Sequence, residues 1–377
     1  MKICLIGGIY GQDGTPSSYL RVTPETTLES GLRQAGHQVT TLSHYHATDF
    51  GRFDVVHVHH LSYGAARLAS DLSPVPFVFT PHDTSEMSGA GLGAARSLAL
   101  KFVLSRADRV VSLSRAEARF QQSTHRIAAA RVATIPNGID DRRYPFKREN
   151  TAGRNQPWRL LFVGQLIPLK GCDLILRALA AVKENVELTM VYQSAGLETE
   201  LRSLASQLGL EHRVHFRGRQ EPTRLAELYR RSDLLVMASR TEALPSVLTE
   251  AMCNGLPFIS TDVGGIREQT AGFGHLLADR SVDALTIGIN HVLSEYERYA
   301  ATAEMMSRHA RRTYSVQAMI DGHLALYESI VGRPARRANW KYSALNAAVR
   351  AGVKWRGSRP PSKTNSIELP EPSSATE

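Results

Sequence analysis

The chain has 377 residues, 42% of them hydrophobic and 21% charged, which is length enough for two cores and the composition of a globular protein. The formal net charge of +9 comes from the end of the chain, where Arg333, Arg336, Arg337, Lys341, Arg350, Lys354, Arg356, Arg359 and Lys363 stand with no acid between residues 333 and 367. A nearly neutral body gives little reason to expect nucleic-acid binding; with no apolar run long enough to span a membrane and no signal-peptide pattern, a cytoplasmic location is expected.

In chain order, an apolar strand over residues 2–6 ends in Gly7-Gly8. Thr23-Pro24-Glu25 then reads as an N-cap, a proline at the first helical position and an acid in the first turn. That helix should run to Gln34 and stop at Gly36, before a strand over 38–42. Further strands are expected over 55–58, 77–80 and 109–112, separated by alanine-rich helices, and 133–138 should turn the chain out of this sheet. A polar linker over 148–157 closes a first domain of residues 1–150.

The pattern then repeats, with strands over 159–163, 187–191, 214–216, 234–237 and 258–260. Helices are expected over 172–183, 198–208, 225–231, 247–253, 282–294 and 297–312. Alternating strands and helices predict parallel sheets covered on both faces, so the fold class is α/β with two doubly wound, Rossmann-like domains facing a central cleft. The second domain covers 151–315, a helix over 316–332 returns toward the first, and 333–377 is a basic, partly disordered tail. Cys4, Cys172 and Cys253 have neither disulfide nor zinc spacing. His57, His59 and His60 receive no metal either, because strand alternation separates neighbours and no carboxylate follows at ligand spacing.

The segment from Glu242 to Met252 carries the most chemistry: two carboxylates, Glu242 and Glu250, straddle a helix start near Pro245. Free N–H groups around Leu244, Ser246 and Val247 would receive a diphosphate, Glu250 would accept from ribose hydroxyls, and Glu242 would stand beside a sugar. With Gly7-Gly8, 80–83 (Thr-Pro-His-Asp), 135–140, 163–166 with Lys170-Gly171, 216–218 and 261–268, the first 330 residues or so resemble the retaining glycosyltransferases of family 4, which have the GT-B fold.

The resemblance implies transfer of a sugar from a nucleotide-sugar donor, UDP being preferred, to a saccharide or lipid-linked acceptor in cell-surface glycan synthesis. It implies that Gly7 and Gly8 bring backbone close to donor phosphates or acceptor, glycine suiting this by its lack of Cβ and tolerance of positive φ. His82 would face the transferring sugar, Lys170 would neutralise the diphosphate, and Arg219 would lie near the base. The family's usual arginine is Gln165 here, so either Arg240 or Arg267 substitutes or donor binding is weaker. Glu242 fits three roles: nucleophile, electrostatic stabiliser or donor-sugar anchor. No Asp-x-Asp is suited to hold magnesium, so the expectation is metal-independent catalysis without a cofactor. The 244–246 turn is similar to that of members using N-acetylhexosamines. Two alternatives share the fold: a sugar-nucleotide 2-epimerase and a non-catalytic nucleotide-sugar-binding relative. In the tail, a helix over 339–356 would align Trp340 and Trp355 with basic residues, a pattern that fits either an anionic inner membrane face or a solvated tail.

Overall fold

The computed structural model describes residues 1–10, 23–43, 49–70, 75–82, 87, 92–146, 156–193 and 195–333. The first of two sheets contains β1 (Lys2–Ile6), β2 (Gln38–Leu42), β3 (Val55–His59), β4 (Phe77–Thr80), β5 (Arg109–Ser112) and β6 (Val132–Thr134), in the order β2-β1-β3-β4-β5-β6. The second contains β7 (Trp158–Val163), β8 (Val186–Val191), β9 (Val214–Phe216), β10 (Leu234–Met237), β11 (Phe258–Thr261) and β12 (His275–Leu277), in the order β12-β11-β10-β7-β8-β9. Neighbouring strands in both are parallel. Central strands of such sheets are buried on both faces, which is why Ile3-Cys4-Leu5 and Leu234-Leu235-Val236 are apolar throughout and fully buried.

Helices α1 (Pro24–Gln34), α2 (Tyr63–Ser70), α3 (Ala94–Arg106) and α4 (Arg115–Thr124) accompany the first sheet. The second has α5 (Cys172–Ala181), α6 (Glu198–Gln207), α7 (Pro222–Arg231), α8 (Ser246–Asn254), α9 (Ile266–Thr270), α10 (Val282–Ser294), α11 (Tyr296–Ala301) and α12 (Ala303–Tyr314), and α13 (Val316–Glu328) follows. The start of α1 is set by a reciprocal cap in which Thr26 N donates to Thr23 Oγ1 (3.3 Å) and Thr23 N to Thr26 Oγ1 (2.9 Å). Helix α13 packs on the first sheet: Met319, Ile320, Tyr327 and Ile330 share a core with Ile3, Leu5, Leu28 and Leu32.

Several elements differ from expectation. Residues 133 and 134 extend the first sheet as β6 rather than leaving it, because Val110, Val111 and Ser112 of β5 pair with Val132, Ala133 and Thr134. The sequence reading also lacked β12 and α9, each too short to establish a period. The helix expected over 297–312 is two, interrupted at Thr302, whose hydroxyl bonds back to Tyr299 O (2.9 Å). The expected tail helix lies outside the described residues. Among the described residues, no helix is long and apolar enough to cross a membrane.

Both strand orders reverse direction next to their first strand, between β1 and β3 and between β7 and β10. In doubly wound sheets ligands lie outside the carboxyl ends of the strands at that reversal. Residues 7–8, 60 and 82 follow β1, β3 and β4, with His59 the last residue of β3, while 164–171 and 238–242 follow β7 and β10.

The two halves meet at the start of α4. Ser114 caps that helix through Glu117 N (3.1 Å), and Glu268 of α9 accepts from Arg115 N through both carboxylate oxygens (3.1 and 2.8 Å). Glu117 itself is 1% exposed and accepts from Leu113 N (2.7 Å). Burial raises its pKa from an ordinary 4.5 to about 7, with the Leu113 N–H opposing. The folded chain therefore keeps a proton that the unfolded chain loses between these values, and stability falls as pH rises through the window. Glu117→Gln should abolish this slope: denaturant titrations at successive pH values should show the variant gaining up to about 3 kcal/mol on wild type between the acid and neutral ends. Parallel curves would refute the assignment.

Candidate active site

Two loops at the carboxyl ends of β7 and β10 are stitched together by backbone before any side chain is considered. Arg240 N donates to Leu169 O (2.8 Å), and Gly171 lies so close to the 238 carbonyl that a Cβ there would be 2.3 Å from Ala238 O. Gly171 also has φ +65, in the left-handed region that glycine occupies without strain. This approach puts Lys170 against the loop that follows β10. Its Nζ donates to Glu242 Oε1 (2.5 Å), and Ser239 Oγ donates to the same oxygen (2.7 Å). Glu242 is 8% exposed, so it is a fixed and paired carboxylate rather than a solvated loop acid.

The next loop, after β11, braces the backbone of Glu242. A Cβ at Gly264 would stand 1.7 Å from Glu242 O, and one at Gly265 2.1 Å from Ala243 O and 2.7 Å from Ser114 Cβ. Gly265 N donates to Glu242 O (3.3 Å). Pro245, the N-cap of α8, supplies no side-chain cap, and its carbonyl is held by Gln269 Nε2 (3.0 Å), which also reaches Thr249 Oγ1 (2.7 Å). The amides of Ser246 and Val247, both half-buried, thus begin an uncapped helix whose partial positive end favours an anion. Leu244 is buried against Leu113 and Ile266 in a core shared by both halves.

Glu250 is one turn into α8, yet it is not an open acceptor. Tyr229 Oη donates to its Oε2 (2.7 Å), Tyr144 also hydrogen-bonds the carboxyl, and burial raises its pKa despite both phenols. A ribose would have to share this carboxylate with two tyrosines, which stand edge to face at 5.6 Å.

Gly7 and Gly8 follow β1, with Gly7 N bonded to Leu42 O (3.0 Å). Neither has the positive φ that favours glycine. The expected backbone freedom is therefore not used here, although a Cβ at Gly8 would meet nothing within 4 Å. Arg219 is exposed beyond β9, next to Gly218, whose carbonyl accepts from Tyr192 N (3.2 Å). Arg267 is exposed and paired with Asp262. Arg240 is exposed and shares with Arg280 a recess of about 270 Å³ that Asp173 and Glu200 also line. Arg280 Nε donates to Ala238 O (2.9 Å), which brings a cation to the Lys170 loop that the sequence reading did not single out. Burial, and next the Arg240 charge, lower its pKa.

The histidines converge more than strand alternation allows. His57 and His59 share one face of β3, with ring centroids 4.2 Å apart, but His60 lies past the strand with φ +64 and turns back. Its ring lies 4.7 Å from that of His82, which itself has φ +54, and His59 Nδ1 lies 3.0 Å from His82 Nε2. The carboxylate absent from the local sequence arrives from α1: His60 Nε2 bonds Glu25 Oε1 (2.9 Å). Strand alternation does not govern His60, which lies past β3 in the left-handed region, and a carboxylate reaches the cluster from α1 although none follows in the local sequence.

Missed in the sequence were Ser239, Tyr229, Tyr144, Gln269, Glu25 and Arg280. Ser239 alone had a local signal, three residues before Glu242 in the same loop.

Paired doubly wound sheets with polar groups gathered at both strand-order reversals define a two-domain α/β protein, a class in which ligands lie outside the carboxyl ends of the strands. Residues 42–143 match the profile described as Glycosyltransferase Family 4, and residues 144–313 that described as Glycosyl transferases group 1. D-inositol 3-phosphate glycosyltransferase of Gordonia bronchialis is 30% identical over 316 residues, covering 76% of this chain and 69% of the relative. Among solved structures, sucrose-phosphate synthase from Thermosynechococcus elongatus superposes with a TM-score of 0.71 at 18% identity, covering 88% of this chain and 99% of that one. Anabaena HepE in complex with UDP-glucose does so with a TM-score of 0.69 at 20% identity, over 88% and 100%. The fold is GT-B. The chain belongs to glycosyltransferase family 4 and is a glycosyltransferase, a transferase of the EC 2.4 class.

Proposed function

We propose that the chain transfers a sugar from a UDP-sugar to a saccharide or lipid-linked saccharide with retention of anomeric configuration, in cell-surface glycan synthesis. The observation that carries this reading is the Lys170–Glu242 pair (2.5 Å), held by Ser239 in the loop leading to the uncapped start of α8. A diphosphate with its oxygens on Lys170 and the Ser246 and Val247 amides would leave its sugar beside Glu242. As the bond between the anomeric carbon and the phosphate breaks, charge builds on the diphosphate, where fixed donors stabilise it most. Lys170 then exchanges part of its contact with Glu242 for phosphate. The freed carboxylate would face the positive charge developing on the sugar, and the acceptor hydroxyl would attack on the face that the diphosphate leaves, passing its proton to the departing phosphate oxygen. His82 would hydrogen-bond a sugar hydroxyl, and Glu250 would take a ribose hydroxyl alongside the phenols of Tyr229 and Tyr144. Arg280 joins Arg240 and Arg267 as a candidate replacement for the cation absent at Gln165. No metal is required on the diphosphate in this scheme, since the lysine and the helix amides carry its charge. UDP is supported as donor class by the family and by the UDP-glucose complex of HepE. D-inositol 3-phosphate, in the name of the Gordonia bronchialis relative, adds a phosphorylated polyol to the acceptors to be tried. Work at the inner membrane face, through the basic tail, belongs to the same proposal.

Proton NMR of UDP-glucose, UDP-galactose and UDP-N-acetylglucosamine incubated with the protein tests the reaction class without knowledge of the acceptor. Slow donor hydrolysis should release the α-anomer first. Early β-anomer would overturn retention, and conversion of UDP-N-acetylglucosamine to its 2-epimer would replace transfer by epimerisation.

A further inference from the structure

We propose that Glu25, His59 and His82 form a binding site for a divalent transition-metal ion, best matched to Zn²⁺, at the carboxyl edge of the first sheet. The site is separate from the diphosphate groups on the second sheet, and the inference does not rest on the transfer reading.

One ligand atom from each of the three residues falls within 4.8 Å of the other two. They come from the first turn of α1, the last residue of β3 and the second residue beyond β4, so a single ion would tie three elements together. His59 Nδ1 and His82 Nε2 are 3.0 Å apart. Two nitrogens on a tetrahedral zinc with bonds of about 2.0–2.1 Å stand about 3.4 Å apart, so the pair has to open by only about 0.4 Å. Imidazole and carboxylate donors together suit zinc better than magnesium or calcium, which take oxygen ligands.

The proton inventory of His59 supplies the second observation. The residue is 4% exposed, and its Nε2 is buried without a hydrogen-bond partner among the described residues. A neutral ring with its hydrogen on Nδ1 donates to His82 and strands a bare Nε2; with its hydrogen on Nε2 it strands a donor instead. Either state leaves a buried polar atom unsatisfied, at a cost of about 1–3 kcal/mol. An ion on Nδ1 selects the Nε2–H tautomer. His59 lines a small cavity together with Thr80, His82 and His323. His323 donates from Nδ1 to Met319 O (2.8 Å), so its Nε2 is an acceptor on a residue lining the same cavity as the Nε2–H that the ion-bound His59 ring presents.

The surroundings favour an ion over the bare pair. His60 Nε2 bonds Glu25 Oε1 (2.9 Å), which holds the carboxylate at the edge of the histidine cluster. His60 is half-exposed, which gives an entry path. Left-handed backbone at His60 and His82, each beside the carboxylate or the paired ring, is the local strain that binding sites retain. An ion and a sugar hydroxyl would compete for His82 Nε2, so the metal-bound chain is a state distinct from the one in which His82 meets the donor sugar.

Calorimetric titration of untagged, EDTA-treated and desalted protein with zinc chloride at neutral pH tests the site. One ion per chain is expected, weakened at least ten-fold by His59→Ala and by Glu25→Gln, while replacing His275 and His291, a half-buried and an exposed histidine on the second half of the chain, by alanine should leave the affinity unchanged. Cobalt titration of the wild type should add visible absorption of tetrahedral strength, a readout that survives if a variant fails to fold. Absence of binding, equal affinity in wild type and His59→Ala, weak octahedral cobalt absorption, or loss confined to the His275 and His291 variant would each overturn the proposal.

Discussion

Glu242→Gln should lower the rate of transfer, or of donor hydrolysis, by about 10²–10³-fold while changing UDP affinity less than about three-fold. The side chain keeps its size and its bond from Ser239 Oγ, so the loop should hold its shape. What disappears is a negative charge that Lys170 now neutralises at 2.5 Å. In the proposed bound state Lys170 would turn partly to phosphate, and the carboxylate would then be needed by the positive charge growing on the sugar. A carboxamide cannot supply it. UDP carries no sugar and makes no use of that charge, which is why binding and rate should separate. Equal losses in both would mean that Glu242 only positions Lys170, and an unchanged rate would remove Glu242 from the reaction.

The second large effect is expected far from any ionisable group. Gly264→Ala should destabilise the protein by about 3 kcal/mol, a fall in melting temperature of roughly 6–12 °C, and should disable transfer in whatever still folds. The methyl would lie 1.7 Å from Glu242 O at a residue with φ +57, so both the contact and the backbone forbid it. Relief requires the 262–265 loop to withdraw from the 242–243 backbone, which breaks the bond from Gly265 N to Glu242 O and releases the loop that carries Glu242. Gly8→Ala is the matched control: φ is not positive and nothing lies within 4 Å, so stability should stay within about 0.5 kcal/mol of wild type. Calorimetric melting of the two variants decides this; similar melting of Gly264→Ala and wild type would refute the close packing.

The sequence carried the repeated strand–helix order because central parallel strands such as 77–80 and 234–237 must be apolar along their whole length, and because Thr23-Pro24 and Gly36 mark the ends of α1 chemically. It did not carry β6 or β12, whose three residues are strand only by virtue of a neighbour. The same division runs through the site. The Glu242–Glu250 spacing and the uncapped helix between them are local, so they could be read. The bond between Lys170 and Glu242 spans 72 positions, and the tyrosines on Glu250 come from 21 and 106 residues upstream, with nothing in their own surroundings to announce a carboxylate. Glu25 was read correctly as a first-turn acid of α1, and its meeting with three histidines depended on two left-handed residues that no periodicity encodes.

Titration calorimetry of UDP, GDP and ADP against wild type, Lys170→Met and Glu250→Ala, all in EDTA, tests the central claim most directly. The account predicts that UDP binds best without metal, that Lys170→Met weakens it by roughly 30-fold or more through loss of a charge-assisted contact to phosphate, and that Glu250→Ala weakens UDP but not inorganic pyrophosphate. UDP binding that Lys170→Met leaves untouched, or that vanishes in EDTA and returns with magnesium, would contradict the diphosphate site on Lys170 and α8.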